Sequence, residues 1–321
     1  YRQGLTRVAT YVKEMREAYK NVFLSDAGDL IQGTPLTYYF AFNKADVEDP
    51  SMKALRLLDY DMFVPGNHEF NYGMTILQRQ LNDLTAPDNG DEHQVAVSAA
   101  NYLDANTNND ETRDWKTWNG YEPYHVYDYD GVKVAVMGIG NPNIANWDVP
   151  ENWAGIYFAG VVETYKHYEA EMTAAADIIV LVSHSGIDGD PEKSDFIRQL
   201  ISETNTIDLV FSGHEHRNGV TEIENADGKI VNVISPSTKC NMIGQALVTF
   251  DKDTKEVTVT AENVDMKDYP VDEAMAAALK SYEDETWNDY MLKPIGKADG
   301  DFPAANLGFG PSAFMDLINQ V

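Results

Sequence analysis

The chain has 321 residues, of which 43% are hydrophobic and 11% aromatic, enough for one large globular domain or two modest ones. This composition excludes an intrinsically disordered, collagen-like or disulfide-rich protein. Acidic residues number 52 against 24 basic ones, and the net charge of −28 repels both a nucleic-acid polymer and an anionic lipid surface. A phosphate-bearing substrate would therefore need a cation at its site, and a bound metal ion is the obvious candidate.

Two further features restrict the class of protein. Cys240 is the single cysteine, so neither an intramolecular disulfide nor a thiolate metal cluster can form. Apolar runs such as residues 178–182 are much shorter than the roughly 20 residues that a membrane-spanning helix needs. We therefore expect a chain without a membrane span.

The first half of the chain alternates predicted helices and strands, which the spacing of apolar residues distinguishes. In chain order these are helix 5–19, strand 21–24, helix 52–58, strand 62–64, helix 74–84 and strand 95–100. Asp49 followed by Pro50 is a typical start signal for the second of these helices. Residues 103–123 are polar, rich in Asn and Asp and without periodicity, which indicates a long surface segment.

The second half of the chain contains strands of two kinds. Residues 124–127 and 132–139 flank an Asp-Gly step, which predicts a β-hairpin. Two continuous apolar runs each follow a predicted helix, as is typical of strands buried on both faces. They are strand 178–182 after helix 161–175 and strand 207–211 after helix 191–202. With four later strands separated by turns, these patterns predict an α/β layered sandwich with mixed sheets inside and helices outside.

Polar side chains with metal-binding chemistry follow four of the predicted strands. In chain order they are Asp29, the run Asn67-His68-Glu69, His184, and the pair His214 and His216. Because ligands bind beyond the carboxyl ends of strands in open α/β sheets, we expect these side chains to converge. Oxygen and nitrogen donors without sulfur suit Mn, Fe, Co or Zn rather than Ca or Mg. The sequence therefore predicts a centre for divalent metal ions.

Each motif taken alone also has a purely structural explanation. Gly28-Asp29 is compatible with a turn or a helix cap, and His68 with a surface position in a turn. His184 lies between two serines, but the chain contains no Gly-x-Ser-x-Gly elbow that would indicate a serine hydrolase. A structural explanation of the whole set requires four coincidences, so the metal centre is favoured.

Two longer runs carry a family resemblance. Residues 26–36 read DAGDLIQGTPL and residues 66–73 read GNHEFNYG, and the motifs around His184 and His214 follow in the same order as in that family. Here the chain resembles the calcineurin-like metallophosphoesterases of the 5′-nucleotidase-type branch, above all their bacterial 2′,3′-cyclic-nucleotide 2′-phosphodiesterase/3′-nucleotidase members. The resemblance covers nearly the whole chain and implies a four-layer αββα sandwich of two mixed sheets.

The resemblance also implies a role for each site residue. The family binds two divalent ions (Mn, Zn, Fe or Co), and the resemblance implies that Asp29 bridges them. Asn67, His184 and His214 would complete the coordination of one ion, and His216 would bind the other. His68 would be the catalytic histidine that stabilises or protonates the leaving oxygen, and Glu69 would hold the local geometry. The implied reaction is in-line attack of a metal-bound hydroxide on nucleoside 2′,3′-cyclic phosphates and 3′-nucleotides.

The sequence departs from the family pattern in two places. No Asp-x-His motif stands ahead of Asp29, so we expect the domain to lack its first strand and one metal position to be incompletely liganded. Asn71 stands where 5′-nucleotidases of the branch often carry an Asp, which predicts a less basic His68 and favours the cyclic phosphodiesterases. Together with Asn71, the neighbouring Arg217 and Asn218 are candidates for supporting the site or contacting a phosphate.

Three segments are predicted along the chain. Residues 1–270 form the metallophosphoesterase domain, residues 271–309 a linker helix and loop, and residues 310–321 the start of a truncated carboxy-terminal domain. In the family that last domain confers nucleotide specificity, so we expect weak and poorly selective activity here. A long helical pattern at 271–292 and a new apolar start at Phe314 support these boundaries.

Several functional alternatives remain open at this point. A 5′-nucleotidase or a broad phosphodiesterase of the same fold is the first, and a non-catalytic metal-binding scaffold fragment is the second. The resemblance further implies a monomer that acts on a nucleotide, not on a nucleic-acid polymer, in the periplasm or at the cell surface.

Overall fold

The computed structural model describes residues 4–86, 94–188, 197–297, 299–303, 312 and 314–315. The helices are α1 (Leu5–Ala18), α2 (Pro35–Phe42), α3 (Pro50–Leu57), α4 (Met74–Thr85), α5 (Ile144–Trp147), α6 (Val161–Ala175), α7 (Ile197–Glu203) and α8 (Glu273–Glu285). The strands of the first half are β1 (Ser25–Asp26), β2 (Met62–Phe63), β3 (Ala96–Val97), β4 (Tyr102–Asp104), β5 (Tyr124–Tyr129) and β6 (Val132–Ile139). The remaining strands are β7 (Ile156–Phe158), β8 (Ile178–Ser183), β9 (Leu209–Ser212), β10 (Asn218–Glu224), β11 (Ile230–Pro236), β12 (Met242–Phe250) and β13 (Val257–Asp265).

The strands form two main sheets and two smaller pairs. β1, β2 and β3 make a parallel three-stranded sheet, and the larger sheet has the order β10-β11-β9-β8-β6-β5. In the larger sheet β8 pairs in parallel with β6 and β9, whereas β5 and β10 pair antiparallel at its two edges. β12 and β13 form an antiparallel hairpin, and β4 pairs with β7.

Alternate side chains of β8 enter two different cores, which defines the layers. Ile179 and Leu181 pack in the apolar cluster that also contains residues of α6 and α7. Val180 and Val182 pack on the opposite face, among residues of β2 and β12. A third cluster packs α1, α3 and α4 against the three-stranded sheet. The order of layers is therefore helix, sheet, sheet, helix, which confirms the predicted αββα sandwich.

Local sequence signals explain several element boundaries. The Asp49 carboxylate accepts hydrogen bonds from the backbone N–H groups of Ser51 and Met52 at 2.8 and 3.3 Å, so α3 begins at Pro50, two residues before the predicted start. The predicted hairpin is confirmed, but β5 continues to Tyr129, and only Asp130 and Gly131, both with positive φ, make the turn.

The strand predicted at 21–24 and the helix predicted at 191–202 differ from the elements that the structure describes. The strand predicted at 21–24 is wrong, because the regular parallel pairing joins Ser25 to Met62 and Asp26 to Phe63. Of the helix predicted at 191–202, residues 191–196 lie outside the described residues, and α7 covers the rest.

The chain divides into two compact units, residues 1–283 and 284–321. The first unit contains both main sheets. In the second, Thr286–Met291 forms a π-helical turn, and most of residues 304–321 lie outside the described part of the chain. None of the helices described is both long and apolar enough to cross a lipid bilayer.

Candidate metal centre

Loops at the carboxyl ends of two pairs of parallel strands, one pair in each main sheet, meet at one place. Asp29 follows β1, Asn67 follows β2, His184 directly follows β8, and His214 follows β9. The ligand atoms of Asp29, His184 and His214 all lie within 4.8 Å of one another. Side chains that are far apart along the chain thus meet at the carboxyl ends of these strands, where α/β folds bind their ligands.

Asn67 lies between the two histidines of this cluster. Its Oδ1 is 2.9 Å from His214 Nδ1 and 3.1 Å from His184 Nε2. His184 Nε2 is also 3.0 Å from Asp29 Oδ2. One carboxylate oxygen, one amide oxygen and two imidazole nitrogens therefore face each other, a donor set that suits Mn, Fe, Co or Zn. The residues present fit one divalent ion.

His184 is held in one tautomer by the backbone. Its Nδ1 is hydrogen-bonded to the carbonyl oxygen of Ala27, and since a carbonyl only accepts, Nδ1 carries the proton. The ring is 1% exposed, so this bond has no competition from bulk water. Because Nδ1 donates to the carbonyl, Nε2 is left with its lone pair free to bind a metal ion. Histidine ligands in protein metal sites usually have this arrangement.

Glu69 is a fully buried carboxylate that holds the Asp29 loop. Its Oε2 accepts hydrogen bonds from the N–H groups of Asp29 at 2.7 Å and Gly66 at 2.6 Å. Its Oε1 accepts from Leu30 at 2.7 Å and Ile31 at 3.3 Å. Burial and the nearby charge of Asp29 raise the pKa of Glu69, although the backbone donors act in the opposite direction.

The loops approach each other so closely that a side chain at Gly66 would have to displace its neighbours. A Cβ atom at Gly66 would lie 2.5 Å from Asp29 Oδ1 and 2.7 Å from His184 Cε1. The backbone is also strained at the cluster, because Asp29 and His214 have φ angles of 63° and 72°. Left-handed conformations of non-glycine residues cost about 1–2 kcal/mol each and concentrate at functional sites.

The charges of the cluster determine which groups carry protons. Burial acts to raise the pKa of Asp29, but the hydrogen bond and charge of His184 outweigh it, so this pKa lies below its usual value. Burial acts to lower the pKa of His184, but the hydrogen bond and charge of Asp29 raise it overall. Burial and the charge of His184 lower the pKa of His214 to about 4, which keeps this ring neutral at pH 7.

His68 lies beside the cluster on the loop that follows β2. Its backbone N–H donates to Asp29 Oδ1 at 2.8 Å, and its Nδ1 is 2.6 Å from Asn71 Oδ1. The Asn71 amide in turn donates to Asp148 Oδ2 at 2.8 Å. Asn71 therefore contacts both His68 and Asp148.

Three other predicted site residues lie outside the cluster. His216 is exposed and does not belong to the group of Asp29, His184 and His214 found among the described residues. Arg217 pairs with Asp188 at 2.9 Å and with Glu215 at 3.1 Å, so its charge is already compensated. Asn218 accepts a hydrogen bond from Asn263 at 2.7 Å.

Two residues at the site were not among those predicted. The indole of Trp147 stacks on the His214 ring with centroids 5.2 Å apart and planes inclined by 16°. Asp148, the next residue, accepts the bond from Asn71. Sequence patterns carry no signal for these contacts, because α5 is a short helix without a motif and its neighbours lie far away along the chain.

Comparison with known proteins gives the same family as the motifs. The model of the calcineurin-like phosphoesterases matches residues 2–218. The 2′,3′-cyclic-nucleotide 2′-phosphodiesterase/3′-nucleotidase of Salmonella typhimurium is 31% identical over 330 aligned positions, which cover 92% of this chain and 48% of that protein. The chain thus spans about half the length of this curated relative.

Two solved structures share the fold. The calcineurin-like phosphoesterase YfkN from Bacillus subtilis superposes with a TM-score of 0.72 at 24% identity, over 91% of each chain. The 5′-nucleotidase precursor from Thermus thermophilus superposes with a TM-score of 0.71 at 22% identity, over 95% of this chain and 57% of the other. The αββα architecture is therefore common to all three.

Proposed function

Because the chain belongs to the calcineurin-like phosphoesterase family, we propose that it hydrolyses phosphoester bonds of nucleotides with divalent metal ions held at the cluster. The observation that carries the proposal is the meeting of Asp29, Asn67, His184 and His214 at the carboxyl ends of parallel strands. A chain with a net charge of −28 needs such a cation site to receive a phosphate.

The division of work between metal and protein follows from the chemistry of the residues. Divalent ions bound here supply neutralisation of the phosphoryl oxygens and a water activated near neutral pH. Asp29, Asn67, His184 and His214 hold one ion, and Glu69 holds the backbone that carries Asp29. His68 has its Nδ1 engaged by Asn71, which leaves Nε2 to give a proton to the leaving oxygen.

For the substrates we propose nucleoside 2′,3′-cyclic phosphates and 3′-nucleotides. The support is the similarity to the Salmonella typhimurium protein, whose name carries both activities. Asn71 favours the same branch, since the hydrogen-bond partner of His68 is an amide and not a carboxylate. A 5′-nucleotidase or a broad phosphodiesterase is the second candidate, and the likeness to the Thermus thermophilus structure concerns the fold alone.

We further propose that one additional strand completes the domain. An apolar groove of about 360 Å³ lies between the chain preceding β1 and the edge of β12, above the inner face of the larger sheet. Its walls and floor include Val12, Phe23, Val180, Leu209 and Ala246. In the described part of the chain β1 pairs with β2 alone and β12 with β13 alone, so both flanking edges are open to a strand between them.

Such a strand would also complete the second metal position, which on this proposal has only Asp29 and the exposed His216 in the present chain. The domain limits at 270 and 309 remain proposals of the same kind. So do a monomeric state and a place in the periplasm or at the cell surface, which rest on the family resemblance. Fractionation of the source cell and light scattering of the purified chain test these last two.

Hydrolysis assays decide between the enzymatic candidates. We expect phosphate release or ring opening from 2′,3′-cyclic AMP and 3′-AMP in the presence of Mn, Co or Zn, and slower reaction with 5′-AMP. His184→Ala should abolish both metal binding and hydrolysis, whereas His167→Ala, an exposed histidine on α6, should change neither. Metal binding without hydrolysis of any of the three substrates would support the scaffold fragment instead.

A further inference from the structure

A chain of two hydrogen bonds connects His68 to a carboxylate on a different loop. His68 Nδ1 lies 2.6 Å from Asn71 Oδ1, and Asn71 Nδ2 donates to Asp148 Oδ2 at 2.8 Å. Asp148 comes directly after α5, 77 residues away from Asn71. Side chains in such chains restrict each other's orientation, because every donor needs an acceptor.

The chemistry of Asp148 decides the direction of both bonds. An ionised carboxylate only accepts, so the NH₂ group of Asn71 must face Asp148. The amide oxygen of Asn71 then faces His68, and this oxygen also only accepts. Nδ1 of His68 must therefore carry a proton, and the tautomer of the ring follows from a residue that does not touch it.

Asp148 is itself held rigidly enough to fix the direction of both hydrogen bonds. Its Oδ1 accepts from the N–H of Val149 at 2.8 Å and from Asn152 Nδ2 at 2.7 Å. Its own N–H donates to the carbonyl of Ile144 at 3.0 Å. The carboxylate thus cannot turn away from Asn71 without losing partners on its other oxygen.

We propose that Asp148 is a positioning residue for His68 and acts through the Asn71 amide. This inference rests on the proposed function, in which water bonds to phosphorus, the ester P–O bond breaks, and the leaving oxygen takes the Nε2 proton of His68. The proton released by the water restores the imidazolium. A locked Nδ1–H keeps Nε2 free for this transfer, and a ring held by one rigid partner reaches the leaving oxygen in one orientation.

A reciprocal exchange of the two side chains tests the direction of the bonds. In Asp148→Asn the new amide must present its NH₂ group either to Asn71 or to the donors of Val149 and Asn152. The fixed sequence of donors and acceptors from residue 148 to His68 is therefore lost. In Asn71→Asp two carboxylates face each other across the same contact. The double variant Asn71→Asp/Asp148→Asn restores a donor opposite an acceptor at every contact. It should therefore recover the His68 tautomer and the kcat that each single change loses.

Substrates with different leaving groups distinguish a loss of His68 positioning from a general loss of folded protein. We expect Asp148→Asn to lower kcat for 2′,3′-cyclic AMP by about 10-fold or more, within the range seen for residues that orient ligands indirectly. Hydrolysis of bis(p-nitrophenyl) phosphate should change less than about 2-fold, since its leaving group needs little protonation. The matched control Glu151→Gln, an exposed carboxylate beside the same loop, should leave both reactions unchanged.

The tautomer of His68 gives a readout that needs no activity. At a pH at which the imidazole is neutral, nitrogen NMR of the full chain, with the His68 signal identified by its loss in His68→Gln, should show the proton on Nδ1 in the parent protein and in the double variant. In Asp148→Asn the signal should shift toward the Nε2–H form. An unchanged tautomer in Asp148→Asn, or equal losses for both leaving groups, overturns the positioning role. A parent protein that hydrolyses neither ester refutes the proposed function instead, and the NMR result still decides the role of Asp148.

Discussion

His184 Nε2 and Asp29 Oδ2 lie 3.0 Å apart in an environment where the His184 ring is almost completely buried. The hydrogen bond and the opposite charges of these two groups raise the pKa of His184 and lower the pKa of Asp29. Without metal, one proton is therefore shared between them. Both atoms belong to the proposed ion site. A metal ion must therefore displace this proton when it binds.

Metal affinity should consequently rise with pH. The folded-state pKa of His184 lies above its ordinary value of 6.5, so the ring is protonated at pH 6.5 and below and must lose that proton to bind an ion. We expect the affinity for Zn or Mn to fall about tenfold for each pH unit below that raised pKa. Chelator competition measured at several pH values tests this slope, and titration in buffers of different ionisation enthalpy counts the released proton.

His214 should contribute nothing to that slope. Its pKa is lowered to about 4, so the ring is already neutral where the measurement is made. A slope of two protons would contradict this assignment.

Gly66→Ala should damage the metal site without unfolding the domain. The added methyl group would meet Asp29 Oδ1 at 2.5 Å and His184 Cε1 at 2.7 Å and would push the two ligands apart. We expect metal affinity to fall about 10- to 100-fold, with an overpacking cost of about 1–3 kcal/mol in the free energy of unfolding.

Gly296→Ala provides the matched control for this change. A Cβ at Gly296 meets nothing within 4 Å, so both metal affinity and stability should stay at the level of the parent protein. Unaltered metal binding in Gly66→Ala would show that the loops relax more easily than the close contacts indicate. Isothermal titration and chemical denaturation measure the two quantities.

Glu69→Gln should lower stability as well as activity. Each oxygen of Glu69 accepts two backbone N–H groups, and the amide NH₂ of glutamine would replace one oxygen and face two donors. The unmade hydrogen bonds should reduce the free energy of unfolding by about 1–3 kcal/mol. Urea denaturation measures the change, and Glu17→Gln, an exposed carboxylate on α1, should show none.

Trp147→Ala should weaken metal binding moderately. The indole covers one side of the His214 ring while remaining 47% exposed itself, and stacked aromatic pairs contribute about 0.5–1.5 kcal/mol. Loss of that support should raise the metal dissociation constant about 2- to 10-fold, and Trp147→Phe should retain most of the affinity.

Trp287 serves as the control for an exposed indole elsewhere. It is 57% exposed in the second unit, and Trp287→Ala should leave metal affinity unchanged. Equal effects of the two substitutions would remove any special role for the stacking on His214. Fluorescence competition with a coloured chelator is suitable for both variants.

Although α2, α5, β4 and β7 were not predicted, local sequence patterns predicted most of the other helices and strands, the layered α/β class and a set of candidate donor residues. These properties depend on neighbours along the chain. The continuous apolar run of β8 indicates burial on both faces, and Asp49 with Pro50 marks the start of α3. The strand predicted at 21–24 shows the limit of this reasoning, since its apolar residues line the groove and regular pairing starts only at Ser25.

The way the donors face each other, and the residues that support them, depend on contacts between distant segments. The bond from Asn71 to Asp148 joins residues 77 positions apart, and the stack of Trp147 on His214 depends on the orientation of two loops. Arg217 was a phosphate candidate by position, yet it pairs with Asp188 and Glu215. Hydrogen bonds require distances and angles that the packing of distant segments sets, and local periodicity contains no information about them.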